Sequence, residues 1–262
     1  MKKIILEIEY ALRFIGLEPR TFVSFFRGLP FYSRDYRNIK RQMKIKNDFQ
    51  FGKLWPILNQ RETESGSLTF HYFYLDLLIA QRVFENKPVR HIDIGSRIDG
   101  FVGHVASYRE IEIFDIRPLE SKIHNVTFTQ ADLMQLPDNM KECCDSISSL
   151  HAIEHFGLGR YGDPVDVDGH LKAIDNIHLI LKPGGKFYFG TPIGKQRIEF
   201  NAHRVFSVGY LINALKEKFT IEHFSYVDDR NNLFTNVELT DESVNSNFNT
   251  YMGCGIFELT KK

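Results

Sequence analysis

Val89-Arg-His-Ile-Asp-Ile-Gly95-Ser-Arg-Ile-Asp-Gly100 decides how this chain is read. A β-rich run closes on Asp93-Ile-Gly95 and passes into a glycine-bearing turn, which is how a nucleotide-binding α/β fold begins. The next apolar run, Ile111-Glu-Ile-Phe-Asp115, ends in an acidic residue about 20 residues further on, where ribose hydroxyls take a carboxylate partner. Asp132 follows a third β-like run, Val126-Thr-Phe-Thr-Gln-Ala-Asp132. Leu181-Lys-Pro-Gly-Gly185-Lys-Phe-Tyr-Phe-Gly190 then supplies a helix stop, a turn and another strand.

Outward from that stretch, apolar periodicity predicts an amphipathic helix over 68–85, the first strand at 89–94 and a weak helix at 100–108. Strands are expected near 111–115, 126–129, 145–150 and 186–191, with helices at 167–182 and 207–218. Residues 219–227 and 255–261 form an antiparallel pair that closes the sheet. The expected fold is α/β and Rossmann-like, a mostly parallel seven-stranded sheet with helices on both faces. An N-terminal helical extension, residues 1–64, precedes the catalytic-type domain at 65–262. Helices are expected there at 3–15 and 34–46, and the Asn- and Asp-rich stretch 228–250 reads as a surface insertion.

Length and charge narrow the function classes. With 262 residues the chain buries one substantial core rather than two. Net charge is zero but unevenly placed: residues 1–53 hold 12 Lys and Arg against 5 Asp and Glu. This basic front end, with Phe22, Phe25, Phe26, Phe31, Tyr32 and Tyr36 interleaved, is suited to an anionic partner, a peripheral membrane contact or a synthase complex. The acidic remainder argues against nucleic acid. Cys143, Cys144 and Cys254 make no disulfide framework, which implies a reducing compartment. Glu7, Glu9 and Arg13 interrupt the apolar start before it can serve as a signal peptide or a span, so a cytoplasmic location is expected.

The densest chemistry follows the fourth strand, in Ser149-Leu-His151-Ala-Ile-Glu154-His155-Phe-Gly-Leu-Gly-Arg160-Tyr-Gly-Asp163. On one helical turn, His151, Glu154 and His155 share a face, a spacing from which a metal gathers ligands, and His203 past the fifth strand supplies a fourth. Three imidazoles and one carboxylate suit Mn, Fe, Co, Ni or Zn better than Mg. The same letters match the His-x-x-Glu-His pattern of inverted zinc peptidases, but those motifs lie on long helices. Here Gly157 and Gly159 break the chain at once.

Residues 90–206 resemble a class I S-adenosylmethionine-dependent methyltransferase. The wording Ile94-Gly-Ser-Arg-Ile-Asp-Gly-Phe101, together with the 149–163 motif, is similar to a bacterial and nematode family known as a domain of unknown function and associated with surface-polysaccharide synthesis. That resemblance implies S-adenosylmethionine as cofactor, with Asp93, Gly95, Ser96, Arg97, Gly100, Asp115, Ile116, Asp132, Leu133 and Ser149 around it. It implies a sugar nucleotide or glycan as acceptor and capsule-type polysaccharide biosynthesis as the setting. The metal segment also resembles that of metal-dependent O-methyltransferases, where Glu stands in place of His151. In such a site His151, Glu154, His155 and His203 hold the metal and lower the acceptor's pKa. His155, Asp163 and His170 are the candidates for proton transfer, and Arg160, Tyr161 and Arg204 for substrate contact. The glycine loop departs from the family pattern, since Arg97 and Asp99 stand where small residues are expected. Two other readings follow from that departure: a metalloenzyme that does not use S-adenosylmethionine, and a non-catalytic binding module.

Overall fold

The computed structural model describes residues 12, 19–45, 49–58, 71–135 and 140–262. The chain divides into two compact units, residues 1–67 and 68–262.

In the first unit, helix α1 spans Pro19–Gln42. Its partly buried side, marked by Leu29, Tyr32 and Tyr36, is followed by the irregular segment 49–58. The Tyr36 and Phe51 rings meet at 5.0 Å, and a Cβ at Gly28 would lie 2.4 Å from that of Leu58. The helix expected at 34–46 therefore starts earlier and ends at Gln42, where a turn takes over. The helix expected at 3–15 lies outside the described residues apart from Leu12.

The second unit runs α2 (Tyr72–Asn86), β1 (His91–Ile94), α3 (Gly103–Ala106), β2 (Ile111–Asp115), β3 (Val126–Gln130), β4 (Cys144–Leu150), α4 (Gly169–Ile180) and β5 (Leu181–Ile193). After these come β6 (Arg197–Glu199), β7 (His203–Val205), α5 (Val208–Leu215), β8 (Phe219–Val227), β9 (Leu233–Phe234), α6 (Asp241–Asn245) and β10 (Gly253–Lys261). Eight strands form one sheet in the order β3-β2-β1-β4-β5-β10-β8-β9, one more than expected because β9 adds a two-residue edge. β1 to β5 are parallel, while β10 runs antiparallel to both of its neighbours. This is the Rossmann-like methyltransferase fold, closed by the antiparallel pair anticipated from the sequence. The hairpin β6–β7 forms a separate small sheet that periodicity did not show, its strands being three residues each.

Strand alternation explains the layering. On β5, Phe187 and Phe189 join the cluster beneath α4 and α5, whereas Tyr188 faces α2 with Leu75, Ile79 and Val83. The expected helix at 100–108 is broken because Gly100 has non-helical dihedrals; a five-residue π turn, 98–102, precedes the short α3. α4 stops at Ile180 because Leu181 turns extended ahead of Pro183, and Gly184 at φ +74° makes the turn that bulges β5 away from β4. From β1 the chain moves to β2 and β3 on one side, and from β4 to β5 on the other. A crevice therefore opens beyond the carboxyl ends of β1 and β4. Among the described residues no helix is long and apolar enough to cross a membrane.

Gly190 sits where α2 presses on β5, and an added Cβ would approach the Leu75 methyl carbons to 2.7 Å. Gly190→Ala is expected to cost about 1–3 kcal/mol by overpacking. In urea denaturation, the double variant with Leu75→Val should recover part of the loss; additive losses would mean that the two sites do not press on each other.

Candidate functional site

The carboxyl ends of β1 and β4 are joined by a buried polar node. Asp93, fully buried, accepts hydrogen bonds from Ser148 Oγ (2.5 Å), Ser96 Oγ (2.7 Å) and the Ser96 amide (3.0 Å). Ser96 Oγ in turn accepts the Leu150 amide at 3.1 Å, and His91 bridges Ser146 and Ser148 at 2.7 and 3.1 Å. Burial raises the Asp93 pKa to about 6 even against these bonds. Asp93 thus fixes the turn instead of lining the cleft. Gly95, held at φ +67° with a would-be Cβ 3.0 Å from that of Ala152, is the residue at which backbone meets the cavity.

Above this turn lies a cleft of about 1100 Å³, lined by His71, Tyr72, Gly95, Arg97, Asp115, Arg117, His151, Glu154, His155, Arg160, Tyr161, His203, Asp228, Asp229, Asn231 and Tyr251, among others. A narrow apolar slot of about 50 Å³ adjoins it between Ile116, Leu133, Asp132, Phe156 and Asp163. Ser96, Arg97 and Asp115 of the expected cofactor set face the cleft, Gly95 borders both spaces, and Ile116, Asp132 and Leu133 line the slot. Gly100 and Ser149 line neither. A Cβ at Gly100 would strike the Asp76 carboxylate at 2.3 Å, so this glycine admits α2. Ser149 Oγ donates to the Ile94 carbonyl at 3.2 Å, binding β4 to β1. Asp115 does reach the place expected of a ribose acceptor, but Arg117 takes both of its oxygens, at 3.1 and 2.8 Å, and lies 4.3 Å above the Tyr161 ring. Arg97 is held likewise by Asp99, at 3.1 and 2.9 Å, and covers the Tyr72 ring.

The 151–163 segment departs from one helical turn. His151 takes φ +57°, uncommon for a residue with a Cβ, and its amide donates to the Gly190 carbonyl at 2.8 Å. Its Nδ1 pairs with Glu154 Oε1 at 2.9 Å, both residues being buried, and His71 stacks on its ring at 4.5 Å. Burial opposes charge on His151, but the Cys254 and Glu154 side chains outweigh it and hold its pKa well above the ordinary value. For Glu154 burial pushes upward, and the bond to His151 brings the pKa below the usual carboxylate range. Burial, with His151 beside it, lowers His71 to about 3.

The four expected metal ligands are not assembled as a ligand set. Glu154 is committed to His151 and to Thr191 Oγ1 (3.4 Å), and His155 Nδ1 to the Ala202 carbonyl (2.6 Å). His203 Nε2 lies 3.4 Å from Glu199, while its ring centre is 6.4 Å from that of His155. Among the described residues no three His, Cys, Asp or Glu side chains are placed to hold a metal ion.

Three other expected roles give way to structural ones. Asp163 accepts the amides of Gly157, Gly159 and Tyr161 at 2.8 to 3.2 Å and so shapes its own loop. His170 lies outside both cavities, bonded to the Tyr210 hydroxyl at 2.6 Å and packed on Phe206. Arg204, buried, donates to the carbonyls of Glu154, Phe156, Asp166 and Val167, where the substrate has no access. Arg160 and Tyr161 do line the cleft, and Arg160 shares the Ala202 carbonyl at 2.8 Å. Sequence reading missed His71 and Tyr72, whose only signal was their place at the start of a helix. It also missed Asp228, Asp229, Asn231 and Tyr251: Asp229 accepts the amides of Tyr251 and Met252 at 2.7 and 2.8 Å, drawing the 228–250 stretch onto the cleft. Cys143, Cys144 and Cys254 are all free thiols.

Residues 107–251 match the profile of a family described as "Caenorhabditis protein of unknown function, DUF268". No curated protein matches the chain. Among solved structures, the chain is similar to the [4+2]-cyclase SpnF, at 18% identity over 72% of this chain and 80% of that one, TM-score 0.51. It is also similar to a Burkholderia thailandensis 1,6-didemethyltoxoflavin-N1-methyltransferase with bound 1,6-didemethyltoxoflavin and S-adenosylhomocysteine, at 12% identity over 72% and 79%, TM-score 0.52. At such identities the likeness establishes the fold.

Arg204 anchors the loop that carries His155. Arg204→Lys is expected to cost about 2 kcal/mol or more, since one ammonium replaces a planar fork and leaves buried carbonyls without donors. The urea midpoint should fall at unchanged slope; an unshifted midpoint would mean that the fork is dispensable.

Proposed function

This chain belongs to the DUF268 family, and we propose that it is an S-adenosylmethionine-dependent O-methyltransferase acting on a hydroxyl of a sugar nucleotide or surface glycan. The observation that carries the reading is His155. Its Nδ1 lies 2.6 Å from a carbonyl oxygen, which only accepts, so Nδ1 bears the proton and Nε2 keeps the lone pair. Burial lowers its pKa, outweighing the upward pull of Glu154 and of the Ala202 hydrogen bond, so the ring stands neutral at neutral pH on the wall of the cleft. That is the state a general base requires.

The cofactor supplies an electrophilic methyl group on a sulfonium. For its binding, Gly95 offers close backbone approach, Asp115 a ribose acceptor once Arg117 swings aside, and Ile116, Leu133 and Asp132 a slot for the base. His155 takes the acceptor's proton as oxygen attacks. The charged His151–Glu154 pair and the stacked His71 keep the floor of the cleft rigid. Asp228, Asp229 and Asn231, set among Tyr72, Tyr161 and Tyr251, give the mix of acceptors and flat rings that suits a polyhydroxyl substrate. No step is routed through a divalent cation, because among the described residues no three ligand-type side chains converge on one point. A second reading, a binding module without methyl transfer, draws on the Arg117–Asp115 pair that closes the ribose position.

His155→Gln is expected to lower kcat about 10²- to 10⁴-fold while S-adenosylhomocysteine still binds in calorimetry. Because the base works neutral and its pKa is depressed, wild-type kcat/KM should be flat through neutrality and fall only on the acid side of 6.5, the ordinary histidine value. Unchanged turnover in the variant would remove His155 from the chemistry.

Arg117→Ala should tighten S-adenosylhomocysteine binding about two- to fivefold, the worth of a half-exposed ion pair, and Asp115→Ala should weaken it. If neither the wild type nor Arg117→Ala binds the cofactor, the second reading stands.

A further inference from the structure

The first unit carries a surface that the chemistry of the cleft does not use. Residues 19–58 hold nine Lys and Arg against two Asp and no Glu. Large apolar side chains nevertheless stand in water there: Ile45 is 93% exposed, Phe49 and Trp55 82% each, and Leu54 58%. Ile39, Phe51, Leu54 and Trp55 border one shallow concavity with Tyr32, Asp35, Tyr36 and Lys53. Lys40 stands 6.0 Å from the Tyr36 ring at its edge.

Apolar side chains grouped this way and set among cations mark a binding surface. Two chemistries reward them differently. Nucleic acid stacks on flat rings but gains nothing from Ile39, Ile45 or Leu54. The boundary between headgroups and acyl chains accepts aliphatic and aromatic side chains alike, and anionic headgroups complement the surrounding Lys and Arg. We propose that this face docks the protein on an anionic lipid bilayer, with Trp55 and its neighbours entering the acyl boundary and Arg37, Lys40, Arg41 and Lys53 meeting the headgroups. The docking is independent of the cofactor reading, since no residue of the cleft takes part.

Trp55 is the chain's single tryptophan, so its emission reports this face directly. The full-length protein is titrated with phosphatidylcholine vesicles and with vesicles also containing about 30% phosphatidylglycerol, an anionic fraction high enough to set up a surface potential. The expected result is a blue shift and co-sedimentation on the anionic vesicles only, with quenching by brominated acyl chains and release at about 0.5 M salt. Arg37→Ala and Arg41→Ala should each weaken binding about fivefold. Trp55→Ser, followed by co-sedimentation alone, should weaken it further at an unchanged melting temperature, the site being on the surface. Absence of a shift and of co-sedimentation at low salt overturns the proposal. So does a tryptophan shift produced by single-stranded RNA while vesicles give none.

Discussion

The buried carboxylate of Asp93 is the constraint from which the cleft is built. An ionisable group with no solvent contact must be satisfied locally or it destabilises the fold by several kcal/mol. Here Ser148 and Ser96 satisfy it, and in doing so they fasten the turn after β1 to the end of β4. Ser96 passes the constraint on to the Leu150 amide, one residue before His151. The turn after β1 and the loop after β4 are thereby positioned by one hydrogen-bonded node at the switch point of the sheet, where side chains from both halves must meet.

The β4 loop shows what that placement does to chemistry. His151 leaves the strand in the left-handed region, so the i, i+3, i+4 pattern of 151–155 is not spread along a regular helix. Instead the short 3₁₀ turn folds Glu154 back on His151 and sends His155 toward Ala202. The same residue types at the same spacing therefore yield a buried ion pair and a separately oriented imidazole. Their local partners decide this: Glu154 Oε1 holds the His151 Nδ1 and the Ala202 carbonyl fixes the His155 tautomer, while the His155 and His203 rings stand 6.4 Å apart, centre to centre.

Much of the fold was legible because hydrophobic period and breakers report on burial. Ile92 and Ile94 alternate with His91 and Asp93, Phe187 and Phe189 with Tyr188, and Pro183-Gly-Gly stops a helix wherever it stands. The hairpin β6–β7 was not legible, since strands of three residues carry too little period to read. Gly100 looked like a ligand-approach glycine, but its missing Cβ makes room for the Asp76 carboxylate, a tertiary contact that no local pattern encodes. The cleft was half legible: Gly95, Asp115, His155, Arg160 and Tyr161 stood in recognisable motifs. His71, Asp229 and Tyr251 come from an entry helix and a late loop that only folding brings near. Arg204 and His170 misled for the opposite reason, because polar residues beside a motif serve equally well as buried scaffolding once enough carbonyls or hydroxyls surround them.

Two ion pairs on the rim of the cleft have one physical form. Arg97 with Asp99, and Arg117 with Asp115, are each pairs two residues apart, bidentate, and stacked on a tyrosine from another element. A pair made so locally brings little net stability, since both partners were already neighbours in the unfolded chain. Its half-exposed guanidinium is worth only about 0–1 kcal/mol to the bond. Such pairs neutralise the cleft's cations in the absence of ligand and open at small cost when a ligand offers better partners. A buried pair such as His151–Glu154 behaves in the reverse way, because separating it would leave charge stranded away from water. The cleft therefore combines a floor that cannot rearrange with a rim that can. On the proposed function, a ligand in the large cleft can then rearrange the entrance without displacing His155.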